Sequence, residues 1–340
     1  MKGGIMAIRF LLRAAMITGV MATCGVAAAA ELASAIEGGW DLTIHDGASR
    51  LPSWLGVKIK DGRLEGSFVG TGGGVSSVED LKFEDGKLQF RRGNEKYEAK
   101  VTDGELVGEV ARKNGAKLKF VGKRFVPRPQ TAAPEWGEPI KLFNGKDLDG
   151  WEGIRGEKGT GNWKAEDGEL VNPAHGANIR TKAVFRDFKL HIEFNVPPHG
   201  NSGVYLRGRY EIQVADSFGE PPGVGSCGAL YGRIAPSENV CKKAGEWQSF
   251  DITIVGQRLT VVQNGKTIID NKVIEGITGG AIDSDEYAPG PIYLQGDHTA
   301  VKYRNIVLTP AKTSTKEAVP EKAKARKAGA KKAKAAAKEQ

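Results

Sequence analysis

Three observations predict an all-β protein. Short runs alternate apolar and polar residues, Asp-Gly and Asn-Gly pairs sit between many of them, and no helix-period stretch of useful length interrupts the second half. The expected architecture is a C-terminal two-sheet jelly-roll sandwich preceded by a small β-meander or barrel domain, because about 280 residues between the two ends exceed one small core.

Residues 1–30 carry Lys2, Arg9 and Arg13, then the apolar run AAMITGVMATCGV, then four alanines. That charged, apolar, small-residue order reads as a signal peptide cleaved after Ala30, for a protein exported to the periplasm or beyond the cell. The run is also just long enough to span a bilayer, so a retained anchor is the alternative.

Residues 36–126 hold the runs WDLTI, WLGVKI, RLEGSF, KLQF, YEAKV, ELVGEV and KLKF. The pairs Asp61-Gly62, Asp85-Gly86, Asp103-Gly104 and Asn114-Gly115 between many of them suit tight hairpins, so this is a small antiparallel β domain. The GTGGG run at 70–74 is followed by neither Lys-Ser/Thr nor a helix, which excludes a phosphate loop. No catalytic cluster stands out; the domain is a scaffold or a binding module.

Residues 127–138 begin with PRPQTAAP and form a stiff Pro-rich linker. Residues 139–310 supply the strands FKLHIEFNV, QSFDITIV, RLTVVQ, TIID, PIYLQ and VKYRNIVL of the sandwich. Trp151, Trp163 and Trp247 read as packing anchors rather than sugar platforms. Residues 311–340 hold nine Lys, one Arg and three Glu with Val319 as the one long aliphatic side chain, a composition that predicts disorder.

The tail also explains the charge. The chain is +8, of which the first 30 residues contribute +3 and the last 30 contribute +7, leaving −2 for residues 31–310. A nucleic-acid role for the folded body loses its support, while the tail could contact an anionic surface.

The segment GNSGVYLRGRYEIQVADSF at 200–218 carries the strongest functional signal. Asn201, Tyr205, Arg207, Glu211, Gln213 and Asp216 interleave with Val204, Leu206, Ile212 and Val214, so period-two geometry separates a polar face from an aliphatic one. A face bearing Tyr, Arg, Glu and Gln suits a sugar; a solvated outer face is the alternative.

Several collinear motifs resemble one family. LFNGKDLDGW (142–151), NWKAEDGEL (162–170), FKLHIEF (188–194), GNSGVYLR (200–207), EIQV (211–214), GALY (228–231), GEW (245–247) and LQGDH (294–298) closely resemble the 3-keto-disaccharide hydrolase family over about residues 139–309. The first domain lies outside the match, and Gly296 is inserted where the family reads Leu-Gln-Asp-His. The resemblance implies a concanavalin A-like sandwich that hydrolyses glycosides already oxidised to a ketone at C3.

That chemistry has a physical logic. A C3 ketone acidifies the C2 proton, a base removes it, the C1 substituent leaves by elimination, and water adds. Glu211 and His298 are the candidate bases, and Arg207, Gln213 and Gln295 the candidates for stabilising the enolate and binding hydroxyls. Tyr205 and Tyr231 could meet the ring, and Asn201, Asp216 and Glu193 (with His191) complete the polar candidates. Asn201 and Asp216 also serve as turn caps in the plainer reading. No cofactor is required, although a divalent metal ion with Glu211 and His298 among its ligands would also serve as electrophile. The carboxylates of Asp283, Asp285 and Glu286 are a weak calcium signal.

Two other readings share the fold: a secreted non-catalytic carbohydrate-binding module, and a retaining endo-glucanase built on Glu211, Gln213 and Asp216, whose middle carboxylate has become an amide. Cys227 and Cys241 are the disulfide candidate expected of an exported chain.

Overall fold

A computed structural model describes residues 35–126, 133–154 and 159–312. The segment expected to be a signal peptide, the first half of the linker (127–132) and all but the start of the tail lie outside the described residues. Every regular element among those described is a β-strand, and the chain forms two compact units.

The first unit comprises 35–68 and Ser76–Phe125. Its strands are β1 (Gly38–Asp46), β2 (Ser49–Lys60), β3 (Arg63–Val69), β4 (Ser76–Ser77), β5 (Glu79–Glu84), β6 (Lys87–Arg92), β7 (Glu95–Thr102), β8 (Glu105–Ala111) and β9 (Lys117–Phe125). Sequential strands pair antiparallel except β4 and β5, and β1 also pairs with β9. The bent segment 76–84 joins the remaining edges: Ser77 pairs with Ser67, Glu79 pairs with Arg91, and between them the Val78 N–H donates to Gly66 O at 3.0 Å. The meander therefore closes into an up-and-down barrel. Asp61-Gly62, Asp85-Gly86 and Asp103-Gly104 all have positive φ at both positions, as type I′ hairpin turns require. Trp40, Leu42, Leu55, Phe68, Phe90, Tyr97 and Phe120 fill the barrel, with Phe90 and Tyr97 stacked 4.6 Å apart.

The second unit comprises Val69–Val75 together with the described residues from Val126 to Lys312. Its strands are β10 (Ile140–Lys141), β11 (Trp151–Gly153), β12 (Lys164–Glu166), β13 (Glu169–Asn172), β14 (Ile179–Thr181), β15 (Phe188–Asn195), β16 (Asn201–Leu206), β17 (Tyr210–Ala215), β18 (Gln248–Val255), β19 (Arg258–Gln263), β20 (Lys266–Val273), β21 (Tyr293–Leu294) and β22 (Val301–Pro310). They form a sandwich of an eight-stranded sheet, running β12-β13-β22-β15-β18-β19-β20 with β10 beside β22, and a five-stranded sheet, β11-β14-β21-β16-β17.

Alternation decides which side chains meet between the sheets. Phe188, Leu190, Ile192 and Phe194 of β15 point inward with Phe250, Ile252, Leu259 and Val261, against Val204, Leu206, Ile212 and Val214 of the five-stranded sheet. The outer faces differ. Lys189 and His191 on β15 reach solvent, whereas β16 and β17 are buried along almost their whole length on both faces. Something covers the polar side of the five-stranded sheet, and the candidate site lies beneath it.

Cys227 and Cys241 are buried free thiols, so the expected disulfide is not formed. The Gln263 side-chain amide donates to both sulfurs, at 3.5 and 3.2 Å, and burial pushes the Cys227 thiol up. The pair is satisfied by hydrogen bonds inside the core.

Candidate functional site

A cavity of about 290 Å³ opens on the polar face of the five-stranded sheet. Register builds its floor. Tyr205 on β16 faces Glu211 on β17, Gly203 faces Gln213, and Tyr205 also pairs with Tyr293 on β21, so these side chains emerge on one face. Gln295 follows β21, its N–H donating to Gly203 O at 3.0 Å. At Gly203 a side chain would lie 2.5 Å from Glu211 Oε1, so the missing Cβ is what leaves room for the carboxyl.

The wall beyond β17 is made of two returning segments. Gln213 N–H donates to Ala229 O and Tyr231 N–H to Glu211 O, each at 3.0 Å, which brings Tyr231 to the rim. Glu211 N–H donates to Thr278 Oγ1 at 2.9 Å, which brings Gly279 and Gly280 alongside, and Thr71, Gly72 and Gly73 of the segment Val69–Val75 line the cavity next to them.

The opposite wall is Asn178, Asp297 and His298. Asn178 Oδ1 accepts from the Gly296 N–H at 2.7 Å and the Asp297 N–H at 3.2 Å, while its Nδ2 donates to Asp297 Oδ2 at 3.0 Å. Asp297 Oδ1 lies 2.8 Å from His298 Nδ1, so one carboxylate orients the imidazole. Gly296, the inserted residue, sits where a side chain would meet Ala177 O at 2.1 Å; glycine is what this crossing admits.

Glu211 is 4% exposed. Burial, with the Asp297 charge adding to it, pushes the carboxyl up to about 8, and the hydrogen bond from Tyr205 works against the rise. Among the described residues no Lys or Arg lines the cavity, so no cation offsets the desolvation. Tyr205 Oη stands 2.8 Å from Glu211 Oε2 and 2.9 Å from Gly279 O. A single hydroxyl proton cannot serve both acceptors. When Glu211 is protonated it donates to Tyr205, which donates to Gly279; when Glu211 ionises, Tyr205 turns its proton to the carboxylate.

Two acceptors are left over. Gln213 and Gln295 are at least nine-tenths buried, line the cavity, and carry side-chain oxygens with no hydrogen-bond partner. Buried groups of this kind are normally satisfied, so these two oxygens are placed to accept hydrogen bonds from a molecule in the cavity. Asn201, Tyr205 and Tyr231 lie on the same cavity, although one face of the Tyr205 ring is taken by Tyr293, stacked at 4.1 Å.

A model of the 3-keto-alpha-glucoside-1,2-lyase-like domain matches residues 138–309, just over half of the chain. The chain belongs to this family. Among solved structures, a candidate glycosyl hydrolase from Parabacteroides distasonis ATCC 8503 is 31% identical, covering 54% of this chain and 93% of its own, at a TM-score of 0.44. A second from the same organism is 27% identical over 51% and 98%, at 0.40. A β-1,3-1,4-glucanase derived from a mouse hindgut metagenome is 13% identical over 47% and 92%, at 0.33. None reaches 0.5, and membership stands on the family match. No curated protein matches the chain.

Three residues of the lyase-like domain fall outside the cavity that the sequence reading grouped with it. Arg207 follows β16 in left-handed backbone (φ 54°), which ends the strand alternation. Its buried guanidinium donates to Arg186 O, to Gly256 O at 2.8 Å and to Asp187 Oδ1 at 2.9 Å, so it is a structural clamp and not an enolate stabiliser. Asp216 sits one register step beyond the polar face and accepts from the His199 N–H at 2.9 Å, which also leaves the Glu211, Gln213 and Asp216 glucanase arrangement unassembled. Glu193 belongs to the outer face of the other sheet, where Arg304 and Asn305 donate to it at 2.6 and 2.7 Å. Asp283 holds Arg209, and Tyr210 donates to Glu286, so neither carboxylate is part of a calcium loop. Among the described residues no three His, Cys, Asp or Glu side chains gather into a metal-binding group, Glu211 and His298 included.

Sequence reasoning missed Asn178, Tyr293, Asp297, Gly279, Gly280 and the Thr71–Gly73 wall. Asp297 had a signal in the LQGDH motif; the others had none, because only tertiary pairing brings them to the sheet face.

Proposed function

We propose that the sandwich cleaves neutral 3-keto-glycosides by elimination and hydration. The observation that carries this reading is Glu211: a buried carboxyl in a cation-free cavity, raised to about 8, beside two unpartnered amides. A base close to neutral pKa is what removal of a ketone-activated C–H proton needs.

The ionised Glu211 takes the C2 proton, and the C2–H electrons form the enolate with C3. The side-chain amides of Gln213 and Gln295 supply N–H groups for the enolate oxygen and accept from neighbouring hydroxyls. The enolate then reforms the C3 ketone as a C1–C2 double bond forms and the C1–O bond breaks. His298, oriented by Asp297, gives the departing oxygen its proton. Water adds hydroxide at C1 and a proton at C2, which completes net hydrolysis and returns the 3-keto sugar. The charged, apolar and Ala-rich order of residues 1–30 supports placing this activity outside the cytoplasm, and the basic tail supports contact with an anionic surface there.

The test is incubation of purified protein with the 3-keto and ordinary forms of one disaccharide in deuterated water. Cleavage of the keto form alone, with deuterium at C2 of the product, is the expected result. Cleavage of the ordinary form, or product without deuterium at C2, refutes the elimination route, and binding without product makes the domain a lectin.

A further inference from the structure

The segment Val69–Val75 lies outside residues 138–309, the stretch that makes the chain a family member, yet it lines the cavity. Its seat is close. The Gly280 N–H donates to Thr71 O at 3.1 Å. A side chain at Gly279 would lie 2.1 Å from Gly73 O and 2.8 Å from Gly73 N, and one at Gly232 would lie 2.8 Å from Gly74 Cα. Two glycines of the sandwich thus let a glycine-rich backbone settle on them, where any Cβ would push it off. Thr71, Gly72 and Gly73 remain exposed on their free side, toward the cavity.

The position matters because the cavity has two ends. Asn178, Asp297 and His298 form one, and Gly279, Gly280 and the Thr71–Gly73 backbone form the other, with Glu211 and the two unpartnered glutamine oxygens on the floor between them. At about 290 Å³ the space sits at the bottom of the range for small-molecule sites, roughly 300–1,000 Å³. A polysaccharide would have to leave through both ends.

We propose that the Val69–Val75 segment is a stop that sets substrate length: the site takes a keto-bearing ring with one further sugar or a small leaving group, end-on, and rejects longer chains. Resting on the glycoside reading above, this adds a specificity determinant that the family domain itself does not contain. The same segment touches Gly279, whose carbonyl faces Tyr205 Oη at 2.9 Å, so moving it also disturbs the hydrogen bond that Glu211 shares.

The experiment compares full-length wild type, Gly279→Ala and a deletion of Gly72 and Gly73 on a 3-keto-disaccharide and a 3-keto-tetrasaccharide of the same linkage. Wild type should prefer the disaccharide by at least a hundredfold in kcat/KM, and both variants should shrink that preference at least tenfold. A wild-type preference near one, or a preference unchanged within twofold in a variant with native thermal midpoint, overturns the proposal. Hydrogen exchange on wild type covers the case of variants that do not fold: adding the 3-keto-disaccharide should slow the amides of 71–75 together with those of 203–213 and 293–298. Protection of the latter two without 71–75 overturns the stop alone. No protection and no turnover overturns the substrate reading and the stop with it.

Discussion

Replacing Glu211 by Gln tests the base through two opposed pH dependences. The carboxyl moves from an ordinary value of 4.5 to about 8 on folding. Because the folded value is the higher one, the native state holds a proton that the unfolded chain has released throughout the interval between them. The contribution of Glu211 to stability is therefore fully present below about pH 4.5 and is lost as pH rises toward 8, by about 1.4 kcal/mol per pH unit. The whole interval amounts to about 5 kcal/mol, a large share of the 5–15 kcal/mol typical of a folded protein. Glutamine has the shape of the protonated acid and never ionises. Urea unfolding of Glu211→Gln across pH 5–9 should lack this slope, so that the variant gains on wild type by several kcal/mol at pH 9.

Catalysis runs the other way. A base must be ionised in the free enzyme, so kcat/KM on a 3-keto-glycoside should climb about tenfold per pH unit below 8 and level above it, while Glu211→Gln should lose at least a hundredfold. The origin of the shift can be tested in the same assay. Asp297→Asn removes a charge that raises Glu211 and should move the profile to lower pH, and Tyr205→Phe removes a hydrogen bond that lowers it and should move it higher. Parallel stability curves for wild type and Glu211→Gln, a flat rate profile from pH 6 to 9, or an upward move in Asp297→Asn would each refute the reasoning.

Further outcomes follow from the other contacts. His298→Ala should lower kcat at least tenfold with a poor leaving group and much less with a phenolate one, measured by comparing the two substrates, since an easily expelled group needs no acid. Gln213→Ala, which removes one buried partner for a hydroxyl, should raise KM about five- to tenfold, the worth of about 1 kcal/mol, in initial-rate measurements. Arg207→Met should cost about 2–4 kcal/mol in urea unfolding by removing the charged partner of Asp187 and the donors of two carbonyls, with kcat per folded molecule within threefold of wild type; lost activity at full stability would return Arg207 to the site. A substrate bearing a carboxylate at C6 should react at least thirtyfold more slowly than its neutral counterpart, because no cation lines the cavity.

The sandwich, the barrel and the family were all readable from strand alternation, turn pairs and motifs. The polar face of β16 and β17 was readable too, up to the point where period two stopped. Arg207 shows the limit: its parity matches Tyr205, but a left-handed residue at the strand end rotates its side chain elsewhere, and nothing in the GVYLRGRY string marks that. Glu193 shows a second limit. It alternates as cleanly as Glu211, yet its face is solvated, whereas Glu211 is buried in a cavity walled by chain returning along β17 from 228–231 and 278–280. Alternation separates two faces of a strand without telling which face another segment will roof. The GTGGG run at 70–74 carries the same lesson from the far side. Followed by neither Lys-Ser/Thr nor a helix, it had no local meaning, because its place depends on Gly232 and Gly279 more than 150 residues away.

Among the described residues, what unites the cavity is a lining without Lys or Arg. A carboxylate catalyst is usually tuned downward by an Arg or Lys neighbour, and such a neighbour would leave it a weak base at neutral pH. Here the arginines that the β16–β17 turn supplies, Arg207 and Arg209, are both consumed elsewhere, by Asp187 and Asp283. Their removal from the sheet face leaves Glu211 with a hydroxyl and two amides for company. A shell without a lining Lys or Arg, and with the Asp297 carboxylate on one wall, keeps the carboxyl basic; on the proposed function it would bind uncharged hydroxyls and offer an enolate hydrogen bonds rather than an ion pair. An ordinary glycoside, whose C2 proton is far less acidic, gains little from such a base; a 3-keto-glycoside, whose conjugate enolate spreads its charge onto oxygen, needs little more. On the function proposed above, the turn geometry that sends Arg207 away from the sheet would be part of what suits this sandwich to keto sugars.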